Sequence, residues 1–162
     1  MNCSIAKTLD VVGEWWTLLI VRDALRGTQR FEDFQASLGI ARSVLVARLS
    51  RLTEEGVLQR VAYQDHPPRY EYHLTDKGRS LAPVIAALLQ WGDTWAPGPD
   101  GPPTLIIHES CGHSAKLTLA CPHCGTELSP GSTRIVPGPG STSIASGNAA
   151  SRGSSTVHDA VP

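Results

Sequence analysis

Residues 1–95 carry one continuous pattern of helices that closes with a hairpin and a further helix. Within it, residues 31–52 predict a short helix, a turn and a second helix, because apolar positions recur at helical spacing around Gly39. Residues 58–63 and 70–74 alternate as two short strands on either side of a polar tip. This order predicts a winged helix-turn-helix, a unit that places one helix in a groove of DNA.

The predicted fold is mainly α with a small β-hairpin wing. Apolar periodicity and glycine stops predict helices at residues 4–12, 16–26, 31–38, 41–55 and 75–95. The helix at 16–26 is apolar nearly all round, so we expect it to be the central buried helix. Thr75 is expected to cap the last helix, and Pro83 is expected to kink it.

The helix at residues 41–55 is the predicted recognition helix. Leu45, Leu49 and Leu52 form its inner stripe, and small or basic residues lie opposite or beside that stripe. Such residues allow close approach to base edges and supply cations for guanine and phosphate. The side chains expected at DNA are Arg42, Ser43, Val44, Ala47, Arg48, Ser50 and Arg51. An ordinary amphipathic helix would show the same face, but the hairpin that follows favours DNA binding.

The polar, proline-containing tip at residues 64–69 is the predicted wing. Arg69 is placed to reach a phosphate or the minor groove. The alternative is that Arg69 pairs with Asp65 or Glu71 at the strand edge.

The formal net charge is −1, which is not the strong positive balance of many DNA-binding proteins. The distribution of charge matters more than the total. Between residues 39 and 60 the sequence contains four arginines and only two glutamates, so the one basic region coincides with the predicted recognition helix.

The last predicted helix carries an apolar stripe longer than a domain of this size needs to cover. Its members are Leu81, Val84, Leu88, Trp91 and Trp95. Together with the first helix, this stripe predicts a homodimer surface, although packing in the protein's own core is an alternative.

No apolar stretch is long enough to span a bilayer, and no basic segment followed by an apolar one predicts a secretory signal. We therefore expect a cytoplasmic protein with no membrane contact. The four cysteines are then expected to be thiols or metal ligands rather than disulfides.

Several motifs occur in one order: CSIA at residues 3–6, WTLLIVRD at 16–23, RFEDF at 30–34, LSRL at 49–52, PPRYEY at 67–72 and LTDKG at 74–78. Together they resemble the HxlR-type transcriptional regulators. The resemblance implies a homodimeric winged-helix protein of MarR-like architecture that binds a palindromic operator in double-stranded DNA. It also implies regulation of nearby genes in response to a reactive or toxic small molecule.

The resemblance assigns roles to individual residues. Arg48 and Arg51 lie where the family has basic residues in its recognition helix, and Arg69 lies in the wing motif. Ser50 replaces an arginine found in many members. Cys3 lies at the family's N-terminal cysteine, which implies a possible sensor of thiol oxidants. The alternative for Cys3 is a buried small side chain near the dimer surface.

A second motif follows the helical block. HESCG at residues 108–112 and CPHCG at 121–125 are two copies of ligand, two residues, cysteine and glycine, which is the pattern of zinc knuckles. With short strands predicted at 104–107 and 115–119, the segment resembles a small zinc ribbon that binds a structural Zn²⁺ ion. The predicted ligands are His108, Cys111, Cys121 and Cys124. His113 is an alternative to His108, and a redox cysteine pair is an alternative to the metal site.

These patterns predict four regions: a DNA-binding and dimerisation domain at 1–96, a linker at 97–103, a zinc-ribbon-like module at 104–130 and a disordered tail at 131–162. The leading hypothesis is a sequence-specific DNA-binding regulator that is not an enzyme. One alternative is a zinc-stabilised protein-interaction module without DNA binding. Another is a thiol oxidoreductase using Cys121 and Cys124, against which no nucleophile, base and orienting group occur together at recognisable spacing.

Overall fold

The structure is a computed structural model that describes residues 3–140. This part of the chain forms six helices and one two-stranded antiparallel sheet. The elements are α1 (Ser4–Val12), α2 (Trp15–Leu25), α3 (Phe31–Leu38), α4 (Arg42–Glu54), β1 (Leu58–Asp65), β2 (Pro68–Leu74), α5 (Asp76–Arg79) and α6 (Ala82–Trp95). None of these helices is long and apolar enough to cross a bilayer. The mainly helical winged helix-turn-helix predicted from the sequence is confirmed.

A single core lies between α2, α3 and α4 and is closed by the start of the hairpin and by α6. Its buried members are Ile20, Val21, Phe34, Ile40, Leu45, Leu49, Leu52, Val57, Leu58 and Ile85. Burial of each large side chain contributes about 1.5–3 kcal/mol, so this cluster holds the recognition helix rigidly against the domain.

One carboxylate is buried beside this core. Asp23 is almost fully buried, accepts a hydrogen bond from Ser37 Oγ at 2.7 Å and pairs with Arg22 at 2.7 Å. A buried charge needs such partners, since an unpaired one would be strongly destabilising. The interaction joins α2 to α3, the first helix of the helix-turn-helix.

The turn between α3 and α4 uses a glycine in the left-handed region. Gly39 has a φ of 61° and its N–H donates to Gln35 O at 3.0 Å, which ends α3. A side chain with a β-carbon rarely adopts this conformation. The predicted turn residue is therefore confirmed, and it sets the angle at which α4 leaves the first helix.

The single last helix predicted at residues 75–95 is wrong. The chain forms α5, breaks at residues 80–81 and resumes as α6. Pro83 lies in the first turn of α6, where its missing N–H has no partner to lose, instead of kinking a longer helix. The predicted cap is confirmed, since Thr75 Oγ1 accepts a hydrogen bond from Gly78 N at 3.1 Å.

The expectation that the second helix is buried all round is also wrong at its start. The Trp15 side chain is 79% exposed, and Leu18 and Leu19 are only partly buried. The reason is that α3, α4 and α6 cover one side of α2 but not the face at its N-terminal end. Helix α2 therefore has more apolar side chains than the rest of the chain covers.

Residues 97–140 contain no helix and no extended strand. The strands predicted at 104–107 and 115–119 are reduced to two isolated bridges, Ile107 to Ser114 and Ala120 to Glu127. The segment lies against α6, where Leu117 N donates to Gln90 Oε1 at 2.9 Å. Of the tail predicted to be disordered, residues 131–140 form no regular element, and 141–162 lie outside the described residues.

Candidate nucleic-acid interface

Helix α4 presents one buried and one open face. Leu45, Leu49 and Leu52 are fully buried, which confirms the predicted inner stripe. The side chains exposed on the other face are Arg42, Ser43, Ala47, Ser50 and Arg51. Val44 and Arg48 are partly buried on its flanks. The helix therefore offers mostly small and basic groups to a partner, together with the apolar side chain of Val46, which is 48% exposed.

Two of the arginines on α4 are engaged with carboxylates. Arg48 Nη2 lies 3.3 Å from Glu14 Oε2, and Arg51 Nη2 lies 2.7 Å from Glu55 Oε1. Exposed ion pairs of this kind contribute only about 0–1 kcal/mol. Phosphates can therefore compete for both guanidinium groups, although the carboxylates lower the positive potential of the free protein.

Arg42 is held in a different way at the first residue of α4. Its guanidinium lies 4.7 Å from the centroid of the Phe31 ring. A cation over an aromatic face is oriented without being neutralised. Arg42 therefore keeps its full charge at the end of the helix that faces the wing.

The wing is a tight hairpin whose strands extend further than predicted. The pairing runs from Leu58 with Leu74 to Asp65 with Pro68, so the tip is reduced to residues 66–67. A bulge between Ala62 and Gln64 interrupts the register. Gln64 Nε2 donates to the carbonyl oxygens of His66 and Pro67, at 3.0 and 3.1 Å, and so ties the tip to β1.

Arg69 is not paired with either acidic neighbour named in the sequence analysis. The Glu71 carboxylate instead pairs with Arg30 at 3.1 Å and lies 3.3 Å from His73 Nε2. Within residues 3–140, Arg69 makes no ion pair and no hydrogen bond through its guanidinium. Arg69 is therefore a free cation of the wing.

A groove of about 240 Å³ separates the wing from the start of α4. The residues around it include Phe31, Arg42, Val46, Tyr63, Arg69 and Tyr70. The structure thus brings together one predicted cation of the helix, Arg42, and the predicted cation of the wing, Arg69, which are 27 positions apart in the sequence. Their joint position supplies charge at both edges of one concave surface.

Sequence reasoning missed the residues that attach the wing to α3. Arg30 hydrogen-bonds to Glu71, which raises the pKa of its guanidinium, and it also lies 4.7 Å from the centroid of the Tyr63 ring. Tyr72 N donates to Gln29 O at 2.8 Å, and partial burial raises the pKa of the Tyr72 hydroxyl. The contact was missed because outward-facing polar residues of a strand look solvated in a sequence. The one sequence feature that pointed to it was Arg30, at the head of the RFEDF motif.

The predicted sensor residue Cys3 lies directly before α1. It is a free, partly buried thiol at the N-cap position. Its backbone carbonyl accepts the first hydrogen bond of the helix, from Lys7 N at 3.0 Å.

The predicted metal ligands come together as two pairs and not as a group of four. His108 Nδ1 lies 3.2 Å from Cys111 Sγ, and Cys121 and Cys124 lie in one turn that is closed by the hydrogen bond from Gly125 N to Cys121 O. Hydrogen bonding to Thr126 contributes most to lowering the pKa of Cys124. Across residues 3–140, no three His, Cys, Asp or Glu side chains are close enough to ligate one ion. The four-ligand site remains a prediction.

Comparison with known proteins bears on the helical part of this architecture. The family model described as HxlR-like helix-turn-helix matches residues 11–99, which include α2 to α6 and the wing. The chain belongs to the HxlR-like family. The family match, together with relatives named transcriptional regulators, shows a DNA-binding transcriptional regulator of the helix-turn-helix class.

Relatives also match beyond the helical domain. The chain is 45% identical over 137 residues to the uncharacterized HTH-type transcriptional regulator Rv3095 of Mycobacterium tuberculosis, covering 85% of this chain and 87% of that protein. The crystal structure of PA1607, a candidate transcription factor, superposes with a TM-score of 0.74 at 39% identity, covering 83% of this chain and 94% of PA1607. An alignment of 137 residues is longer than the 96 residues of the predicted DNA-binding domain, so it includes part of the C-terminal extension, residues 97–162.

A third relative matches the helical domain. The redox regulator HypR in its reduced form has a TM-score of 0.54 at 31% identity, covering 57% of this chain and 92% of HypR. Because nearly all of HypR is matched by little more than half of this chain, HypR has no counterpart of much of the extension.

Proposed function

We propose that the protein is a homodimeric, sequence-specific transcriptional regulator that places α4 in the major groove of a palindromic operator, with the wing beside it. The groove between Arg42 and Arg69 carries this proposal. Arg42, held over the Phe31 ring, and Arg69, which has no acidic partner among residues 3–140, lie at its two edges, next to the exposed face of α4.

The residues of α4 divide by chemistry. Ser43, Ala47 and Ser50 are small and exposed, so the helix backbone can come close to base edges. Arg48 and Arg51 can exchange their carboxylate partners for phosphate oxygens or guanine. Small residues thus provide the clearance, and the arginines provide the contacts.

Dimerisation would cover apolar side chains that the single chain leaves exposed. These are Ile5 and Leu9 on α1, Trp15 on α2, and Leu88, Trp91 and Trp95 on α6. Trp91 and Trp95 are 64% and 72% exposed, and large exposed aromatic residues near one another mark interaction surfaces. A twofold dimer would present two α4 helices to major grooves about 34–36 Å apart.

The DNA-binding proposal is tested by recovering genomic fragments bound to the purified full-length protein near physiological salt. We expect one shared palindromic site. The double variant Arg42→Ala, Arg69→Ala should recover few fragments, whereas Arg26→Ala, which removes a cation at the exposed C-terminal cap of α2, should behave as the wild type. Absence of any enriched site would contradict the proposal and favour a protein-interaction module.

The dimer is tested by sedimentation of the wild type and of Trp91→Asp. The wild type should sediment as a dimer, and the charged variant should shift toward the monomer because a carboxylate would be buried in the interface. Helical circular dichroism of the variant separates dissociation from unfolding. A wild type that is monomeric when bound to its DNA site would refute the dimer.

The proposal includes a response to thiol oxidants through Cys3. The thiol is partly exposed at the start of α1, one of the helices of the proposed dimer surface, so its oxidation would alter that surface. HypR, which resembles the helical domain, is described as a redox regulator. We expect a mild oxidant to release the wild type from DNA and to leave Cys3→Ser bound. Equal release of both proteins would remove Cys3 from the proposal.

A further inference from the structure

Residues 105–130 contain two copies of one turn that are offset by 13 positions. The first runs from His108 to Gly112 and the second from Cys121 to Gly125. In the first copy, Gly112 N donates to His108 O at 2.8 Å; in the second, Gly125 N donates to Cys121 O at 2.8 Å. Both glycines have a φ of 70°. The two turns therefore have the same backbone shape, even though the rest of their sequences differ.

The hydrogen bonds that flank each turn repeat with the same offset. His108 N donates to His113 O at 2.9 Å, and Cys121 N donates to Thr126 O at 2.9 Å. The next pair outward is also matched: Ala115 N to Ile106 O at 2.8 Å, and Leu128 N to Leu119 O at 2.7 Å. The isolated bridges Ile107 to Ser114 and Ala120 to Glu127 complete the repeat. Two regular turns of this kind, each with a ligand-type residue at its first and fourth positions, form zinc knuckles.

The shape of each turn brings its two ligand-type side chains together. His108 Nδ1 and Cys111 Sγ are 3.2 Å apart, and the second turn, which has the same backbone shape, carries Cys121 and Cys124 at the same two positions. Side chains that touch in this way can bind one ion from adjacent corners of a tetrahedron. Each turn is therefore half of a four-ligand site.

The segment holding these turns has no hydrophobic core of its own. No residue in the range 104–130 is buried, and Leu105, Ile107, Leu119 and Leu128 remain exposed. A segment of this length cannot offset its conformational entropy without a core, a disulfide or a metal ion. All four cysteines are free thiols, so no disulfide supplies this stability.

We propose that His108, Cys111, Cys121 and Cys124 bind one zinc ion and that the ion joins the two knuckles into a structural module. Thiolate and imidazole are the ligands that Zn²⁺ prefers, and four protein ligands leave no open position for catalysis. The two pairs are separate in this structure, so binding requires the turns to approach each other. The exposed chain between them forms no strand that would oppose this movement.

Metal binding would also affect α6, which carries part of the proposed dimer surface. The module contacts α6 through the hydrogen bond from Leu117 N to Gln90 Oε1, and a cavity between them is lined by Ala86 and Leu89 of α6 and by Ile106 and Ala115 of the module. Joining the two turns would fix the module against α6. Loss of the ion should therefore loosen the contact between the module and α6.

The first experiment is elemental analysis of the full-length protein, purified under reducing conditions, incubated with excess zinc and freed of unbound metal. We expect about one zinc ion per chain, consistent with a single four-ligand site. Replacement of zinc by Co²⁺ should give the visible absorption of tetrahedral cobalt and the near-ultraviolet absorption of cobalt–thiolate bonds. A wild type without bound zinc, or cobalt spectra without thiolate absorption, would overturn the proposal.

Matched variants identify the ligands. Cys124→Ser and His108→Ala should lose the stoichiometric ion, whereas Cys3→Ser, which changes the one cysteine outside the two turns, should keep it. His113→Ala should also keep the ion, and loss of zinc in this variant but not in His108→Ala would overturn the assignment of His108. Helices α1 to α6 lie outside the module, so each variant should keep the helical circular dichroism of the wild type. A retained signal shows that the variant has folded.

An assay of disulfide exchange tests the alternative to zinc binding. If Cys121 and Cys124 form a redox pair instead, the purified protein should reduce a disulfide substrate, lose that activity in Cys124→Ser, and bind no zinc. That combination would replace the metal site with a thiol oxidoreductase site.

Discussion

Replacing Arg69 with alanine should make DNA binding less sensitive to salt without affecting the fold. Arg69 is exposed at the start of β2, and its guanidinium has no acidic partner among residues 3–140. Its charge is therefore available to a phosphate without first breaking an ion pair. By contrast, Arg48 and Arg51 must give up Glu14 and Glu55.

The size of the effect follows from counter-ion release. Each phosphate neutralised contributes about −0.9 to the slope of log K against log salt, so two wings in a dimer contribute about −1.8. Between about 50 and about 200 mM salt, the wild type should lose about 12-fold more affinity than Arg69→Ala. Arg69→Lys should keep most of the slope if the contact is a simple phosphate pair, and should lose affinity if the guanidinium is bound through two hydrogen bonds.

The assay is fluorescence anisotropy of a labelled operator duplex at a series of salt concentrations. Arg26→Ala is the control, because it removes the same charge from the exposed cap of α2, away from the α4–wing groove. An unchanged slope in Arg69→Ala would refute the placement of the wing on DNA. An equal change in Arg26→Ala would show that only net charge matters.

Three further substitutions test other parts of the structure. Glu14→Gln frees Arg48 and should tighten DNA binding by about 0.5–1 kcal/mol, or about two- to five-fold, in the same anisotropy assay; weaker binding would contradict competition by Glu14. Leu49→Ala opens a cavity beneath the recognition helix and should lower the free energy of unfolding in urea by about 2–5 kcal/mol. Gly78→Ala should cost about 1–3 kcal/mol in the same measurement, because the added methyl group would collide with the carbonyl oxygen of Val57; wild-type stability would show that this close approach is absent in solution.

The contact between the two-turn module and α6 suggests a way to control this regulator. The exposed apolar residues of α6 lie on the helix that the two-turn module contacts. If α6 forms the dimer surface as proposed, a change in the module changes the support of that surface. Metal content and oligomeric state should therefore be measured on the same samples.

Local patterns in the sequence were sufficient to predict most of the helical domain. The three-to-four-residue spacing of Leu45, Leu49 and Leu52 determined which face of α4 is buried, and Gly39 determined where the turn falls. The knuckle pattern predicted the two turns as well. These features depend on residues within one or two turns of each other, so their physical cause is contained in a short stretch of chain.

The tertiary structure decided which charges are free. Glu14 pairs with Arg48 and Glu71 pairs with Arg30, across separations of 34 and 41 residues, and this leaves Arg69 without an acidic partner among residues 3–140. Sequence spacing carries no information on such distances, because ion pairs depend on how helices and strands pack. The same reason explains the exposed Trp15, whose helix looks buried from its composition, and the break before α6. The amino-acid sequence thus determined the local elements, and packing between distant segments determined the charges and apolar faces available to partners.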